Sequence, residues 1–274
     1  MIVRIKSWIY RIVSPSVFAL LFTLKNIIFR TKLRCSYKKN ERLFIVRQGS
    51  QLRYASAKSR VFMYANSFET RAKTLANSYL LGELKFDANA MVVDCGANVG
   101  DFYFALKQVC AKNFRYHAFE PNPADFSCAI RNIPLESNDI RVENIALWNR
   151  NCVLDFYVDT EHASSSLIEP TRHTSILKVR ASRLDCLFKT EDIFLLKLEA
   201  EGAEPEVLEG AEGLLHKIRF IVADVGPERG KLEEEARDQV VSYLTCRNFS
   251  ILKENPGHRK TILFKNNIFE ENYS

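Results

Sequence analysis

Ten residues, Met91 to Gly100 (MVVDCGANVG), constrain this chain more than any other stretch. Apolar positions run into Asp94, then Gly96 and Gly100 bracket Ala97, Asn98 and Val99 ahead of an apolar helical stretch, Phe102 to Val109. A buried strand that ends on a carboxylate and turns through glycines into a helix is how α/β folds build a nucleotide pocket. Gly96 permits the tight turn, and Gly100 lets the helix N-terminus and a ligand come close. A dinucleotide loop reads G-x-G-x-x-G and sets a pyrophosphate on the helix dipole. Here the loop reads D-x-G-x-x-x-G, and Asp94 puts negative charge where the pyrophosphate would sit. That argues against a nicotinamide dehydrogenase and for a ligand with a cationic amino-acid tail, of which S-adenosylmethionine is one.

After the glycine loop, strands and helices alternate. Arg115–Phe119, Ile140–Ala146, Ile193–Leu198 and Ile218–Asp224 read as strands, with helices over Asp125–Ile133, Pro205–Leu215 and Leu232–Cys246. This pattern means an α/β doubly wound, mostly parallel sheet. Val153–Val158 and Ile176–Arg180 read as a β-hairpin insertion around a polar loop, His162–Ser166, and Phe249–Lys253 with Thr261–Phe264 as a closing antiparallel pair. Ahead of the first strand, Ser67–Leu81 reads as a helix with Ser67 as N-cap, placed to cover the cofactor.

The net charge of +6 hides a polarised chain. Met1 to Phe68 carries fourteen Lys or Arg against one acid, Glu41, a balance of +13; the rest carries −7. The pocket-bearing part is therefore acidic, which argues against a nucleic-acid partner. We expect a basic, apolar N-terminal extension over 1–60 and a catalytic domain over 61–274. Between Arg11 and Lys25 lie thirteen uncharged residues, interrupted by Pro15, too few to span a bilayer. Two readings stay open: an arm that packs on its own domain or on a homodimer partner, or a peripheral membrane contact through residues 1–34, on the cytoplasmic face. The seven cysteines form no C-x-x-C pair, which indicates free thiols in a reducing, cytoplasmic compartment and no metal site of that type.

Glu120 ends the second strand, where an acid can accept both ribose hydroxyls of an adenosine. Asn144 and Ala146 end the third, where an adenine edge would be read. In Lys197–Glu204 (KLEAEGAE), Lys197, Glu199 and Glu201 would share one strand face opening into the ligand crevice, while Glu204 and Glu206 read as surface acids in a helix's first turn. One carboxylate would take a hydroxyl proton and the other hold Lys197 or a substrate hydroxyl. A salt-bridge cluster is the alternative, and a divalent cation held by Glu199, Glu201 and Asp224 is a third. No histidine has ligand spacing.

In order and separation, DCGANVGDFYFAL, AFEPNP, ASSSL and LLKLEAEGAEPEVLEGAEGLL resemble the FkbM family of S-adenosylmethionine-dependent methyltransferases, over roughly Phe62 to Lys265. The resemblance implies a Rossmann-like class I fold with a seven-stranded sheet and methyl transfer to a hydroxyl of a sugar, glycolipid or natural-product acceptor, as in polysaccharide biosynthesis. It implies that Asp94, Gly96, Ala97, Asn98, Gly100 and Glu120 line the cofactor site and that Lys197, Glu199 and Glu201 face the acceptor. The family usually carries Asp at the position of Glu199 and commonly Glu at that of Asp224. The rival reading is a catalytically silent, cofactor-binding scaffold on the same fold.

Overall fold

A computed structural model of the chain describes residues 13–159, 165–257 and 259–269. His162 and Ser164, and the first twelve residues of the basic arm, lie outside the described residues. Ser14 accepts the amide of Val17, and Pro15 occupies the first turn of α1 (Pro15–Ile28), so the proline that interrupts the uncharged run starts a helix. No helix among the described residues is long and apolar enough to cross a membrane. An antiparallel meander follows: β1 (Leu33–Lys38), β2 (Leu43–Gln48) and β3 (Gln51–Ala55). Phe18 and Phe22 of α1 bury against Leu33, Phe44 and Val46, and Val61 of α2 (Lys58–Phe62) completes this small core. The extension thus holds a helix together with a small three-stranded sheet. The outer strands β1 and β3 each bury a single side chain fully, so their apolar alternation is thin. The boundary expected after residue 60 falls inside α2. Ser67 then caps α3 (Phe68–Ser78), as its position predicts, through the amide of Thr70.

β4 (Ala90–Cys95), β5 (Phe114–Phe119) and β6 (Ile140–Glu143) run parallel and are joined by α4 (Asp101–Val109) and α5 (Pro123–Asn132). The strand expected over Ile140–Ala146 stops at Glu143, and β7 (Ala146–Leu147) joins a second sheet, pairing with the hairpin of β8 (Cys152–Val158) and β9 (Ser175–Ser182). After α6 (Leu184–Leu187) the chain returns beside β4 as β10 (Ile193–Leu198), followed by α7 (Glu204–Glu209). The helix expected over Pro205–Leu215 breaks where the Gly210 carbonyl accepts the amide of Asp185, and tight turns over Glu212–Lys217 carry the chain into β11 (Ile218–Asp224). A short ribbon, β12 (Pro227–Arg229) with β13 (Glu234–Glu235), delays the next helix, so α8 begins at Arg237 (Arg237–Thr245) rather than at Leu232. β14 (Phe249–Glu254) and β15 (Thr261–Asn266) close the sheet, with β15 antiparallel to β11.

The seven strands lie in the order β14-β15-β11-β10-β4-β5-β6, the doubly wound sheet expected. β4 and β10 are buried along their whole length, as strands covered on both faces must be. Met91, Val93 and Cys95 pack with Leu196 and Leu198 in one core, and Val92 packs with Leu195 and Val222 in the other. Strand order reverses between β4 and β10, where open α/β sheets form their ligand crevice.

Candidate active site

At this reversal a cavity of about 300 Å³ opens over the carboxyl ends of the strands. Asp94 and Lys197 are register partners on β4 and β10. Lys197 Nζ lies 2.9 Å from Asp94 Oδ1 and 2.9 Å from Glu199 Oε2. It also donates to the carbonyls of Cys95 (3.0 Å) and Gly96 (2.7 Å). The second Asp94 oxygen accepts from the Tyr116 hydroxyl. Asp94 is therefore wholly buried behind the glycine loop and absent from the cavity lining. Its charge is matched inside the protein instead of facing a ligand, because a carboxylate at a sheet centre is stable only when paired. Burial works against the Lys197 ammonium, but Asp94 and Glu199 outweigh it and hold the group charged well above the ordinary lysine range.

The two loop glycines do different work. At Gly96, φ is +75° and a Cβ would stand 2.0 Å from the Glu199 carbonyl oxygen, so the loop passes bare against the end of β10 and lines the cavity. At Gly100, φ is +89° and a Cβ would fall 2.9 Å from Ile133 at the end of α5. Gly100 lets two helices pack and does not line the cavity, contrary to the ligand-approach role expected for it.

Glu120, just past β5, is buried and lines the cavity. Its Oε2 accepts the Asn98 amide (2.6 Å) and its Oε1 the Asn122 amide (2.8 Å). Burial and the neighbouring Asp125 push the carboxyl up to about 8, against the pull of those amides and of Arg60. A carboxylate offers about four lone-pair directions, so two stay open for a pair of hydroxyls. Ala97, Asn98 and Ala146 also line the cavity, with Phe119, Leu147 and Phe156 as apolar wall. Asn144 does not: its amide donates to the carbonyls of Glu120 (2.8 Å) and Pro121 (3.0 Å), so it shapes the turn that carries Glu120 instead of reading a ligand.

Lys197 and Glu199 share a face, as expected, but Glu201 does not continue it. The Glu199 amide still reaches the Cys95 carbonyl, whereas Glu201 has φ +51° and enters the cavity lining from a turn. Glu199 is held at both oxygens, by Lys197 on one and by Arg259 Nη1 on the other. Burial raises its carboxyl, but the two cations pull it further down, well below the usual carboxylate range. The same Arg259 nitrogen lies 2.7 Å from Asp224 Oδ2 and 2.6 Å from the Tyr79 hydroxyl. A guanidinium thus stands where Glu199 and Asp224 converge, in place of the divalent cation considered for them. Among the described residues no three His, Cys, Asp or Glu are grouped to hold a metal ion.

Glu201 and Glu228 behave oppositely. Burial and then the Glu199 charge push Glu201 up to about 8; burial and then Glu201 push Glu228 up to about 9. Both line the cavity. Glu204 and Glu206 are not the surface acids expected. Glu204 is buried and accepts the amides of Ala200 (2.7 Å) and Gly202 (3.3 Å), tying the turn that presents Glu201. Glu206 makes a two-pronged pair with Arg229.

The family model described as the methyltransferase FkbM domain matches residues 94–251. The chain belongs to the FkbM methyltransferase family. A relative, "Methyltransferase 1" of Beauveria bassiana (strain ARSEF 2860), is 26% identical over an alignment of 151 residues that covers 46% of this chain and 60% of that protein. Among solved structures, a methyltransferase FkbM from Methylobacillus flagellatus KT aligns at a TM-score of 0.49 and 16% identity, covering 76% of this chain and 52% of that one. M. capricolum TrmK, in complex with S-adenosyl-homocysteine, aligns at 0.42 and 10% identity, covering 72% and 70%.

Residues outside the segment matched to the FkbM model also build the cavity: Arg60 of α2, Arg71 of α3, Tyr79 and Arg259. Arg71 Nε pairs with Asp101 at 2.9 Å, and Asp101 also accepts from the Tyr64 hydroxyl at 2.6 Å. Arg60 stands 3.4 Å from Asp125, whose other oxygen takes the Ser56 hydroxyl. These residues are brought in by tertiary packing across large sequence separations, so no local motif marks them.

Proposed function

We propose that this FkbM-family chain transfers the methyl group of S-adenosylmethionine to a hydroxyl oxygen of a sugar, glycolipid or natural-product acceptor. The observation that carries the proposal is Glu201, a partly buried carboxyl on the cavity wall with a proton affinity raised near neutrality, in one cavity with a bare glycine loop and the half-open carboxylate of Glu120. The residues present fit an adenosyl group. Glu120 would take the ribose hydroxyls on its two open lone-pair directions, Ala146 and Leu147 would flank the base, and Gly96 to Asn98 would lie along the methionyl part. When bound, the cofactor supplies an activated sulfonium methyl.

The chain's own residues then have two tasks, holding the acceptor oxygen in line and removing its proton. Glu199 is unsuited to the second, being locked as an anion between Lys197 and Arg259. Glu201 suits it: a base titrating near the working pH combines adequate ionisation with adequate driving force, and burial with the neighbouring Glu199 charge keeps its proton affinity high. Lys197 is a positioning residue that ties the glycine loop to β10.

Calorimetric titration with S-adenosylmethionine, followed by methyl transfer to a panel of glycan and lipid-linked hydroxyl acceptors, tests this. We expect binding, an affinity about tenfold weaker in Glu120→Gln, and transfer to an acceptor of this class. Binding without transfer to any acceptor would favour the silent scaffold. Absence of binding to the parent protein would overturn the cofactor assignment.

A further inference from the structure

We propose that the outward face of α1 seats the protein on an anionic lipid surface. α1 has two apolar faces. Phe18, Ala19, Phe22 and Asn26 point into the small core, with Phe18 and Phe22 0% and 1% exposed. At about 3.6 residues per turn, Val17, Leu20, Leu24, Ile27 and Ile28 fall within about 100° of arc on the opposite side. All five are exposed, and with Phe29 they form a continuous stripe that ends at Ile28 and Phe29, 75% and 70% exposed. Packing on its own domain and contact with a membrane are therefore not alternatives for this helix, since each uses a different face.

Charge identifies the occupant. Lys25 sits on the rim of the stripe, and Arg30, Lys32 and Arg34 follow its end, all exposed. The one acid before residue 69, Glu41, is already paired with Lys38 and Arg131. An apolar stripe with an unbalanced basic edge matches the boundary between acyl chains and anionic headgroups. A nucleic acid would use the bases and leave the stripe in water, while a second copy laid stripe to stripe would bring like charges together.

The seat is mechanically close to the cavity. The Phe18 ring meets the Phe62 ring of α2 edge-on at 5.2 Å, and Arg60, on the same short helix, lines the cavity. The inference does not depend on which reaction the cavity performs.

The test is co-sedimentation of the full chain with vesicles of phosphatidylcholine alone and of phosphatidylcholine mixed with phosphatidylserine, alongside sedimentation equilibrium without lipid. We expect the chain to pellet with the mixed vesicles, to be released by salt, and to lose affinity about a hundredfold in Arg30→Ala/Lys32→Ala/Arg34→Ala. Leu20→Glu/Ile28→Glu, which alters exposed positions only, should abolish pelleting with an unchanged melting profile. Failure of the parent to pellet with mixed vesicles overturns the proposal. Full retention of binding by the Glu double variant, or a lipid-free dimer that this variant dissolves while vesicle binding is absent, overturns it as well.

Discussion

Two groups of acids meet at one crevice and differ in what stands beside them. Asp94 and Glu199 meet Lys197, and Glu199 meets Arg259 as well, so their charge is matched within hydrogen-bond distance. Glu120 is buried and Glu201 and Glu228 are partly so, and with a neighbouring carboxylate (Asp125, Glu199 and Glu201 in turn) beside each, their carboxyls rise to about 8 or 9. Burial is common to both groups. The difference lies in the partner, and it separates acids that hold the fold from acids able to exchange a proton.

The largest break in this contrast comes from removing the shared cation. Lys197→Met leaves Asp94 and Glu199 facing each other in the sheet without their ammonium, and urea denaturation should show a loss of about 3–5 kcal/mol. Next comes the division of roles. Glu201→Gln should lower the methyl-transfer rate by about 10²–10⁴-fold with cofactor affinity unchanged. Glu199→Gln should instead act mainly on stability, by about 1–3 kcal/mol. If single-turnover assays gave the reverse ranking in folded variants, the assignment of the base would be inverted.

A pH series sharpens the same comparison. The folded value for Glu201, about 8, lies above its ordinary 4.5, so between these the folded chain holds a proton that the unfolded chain has released. Its contribution to stability is full below about 4.5 and is lost as pH rises through about 8. Glu199 carries the opposite sign: its contribution is present above the ordinary carboxylate value and is lost as pH falls below it. Urea midpoints of Glu201→Gln should therefore decline less than the parent's over the Glu201 interval, and those of Glu199→Gln should lose less than the parent's on the acid side. Smallest of all, Asn144→Ala should cost about 1 kcal/mol by loosening the Glu120 turn, with calorimetry showing little direct loss of cofactor contact.

The residues differ in how legible they were. β10 and β11 were readable to the residue, because strands at the centre of a covered sheet are largely apolar runs with sharp ends. Asp94, Gly96 and Glu120 were readable as a group from one motif and its spacing. Which way Asp94 faced was not, because the register that sets it opposite Lys197 joins strands about a hundred residues apart. Gly100 and Asn144 are ambiguous for a related reason: a glycine for helix packing and one for ligand approach look alike until Ile133 is in place, and an Asn at a strand end can serve backbone or ligand equally. Arg259 was invisible, since nothing near it in sequence shows that β15 inserts beside β11 and sets this side chain over Glu199.

Lys197 grips the glycine loop through the carbonyls of Cys95 and Gly96 while its charge is matched from both sides. The conformational entropy of ordering that loop is therefore surrendered during folding, before any ligand arrives. A cofactor entering the cavity meets a preorganised surface, so association should be governed by diffusion and desolvation, with loop rearrangement contributing little to either rate constant.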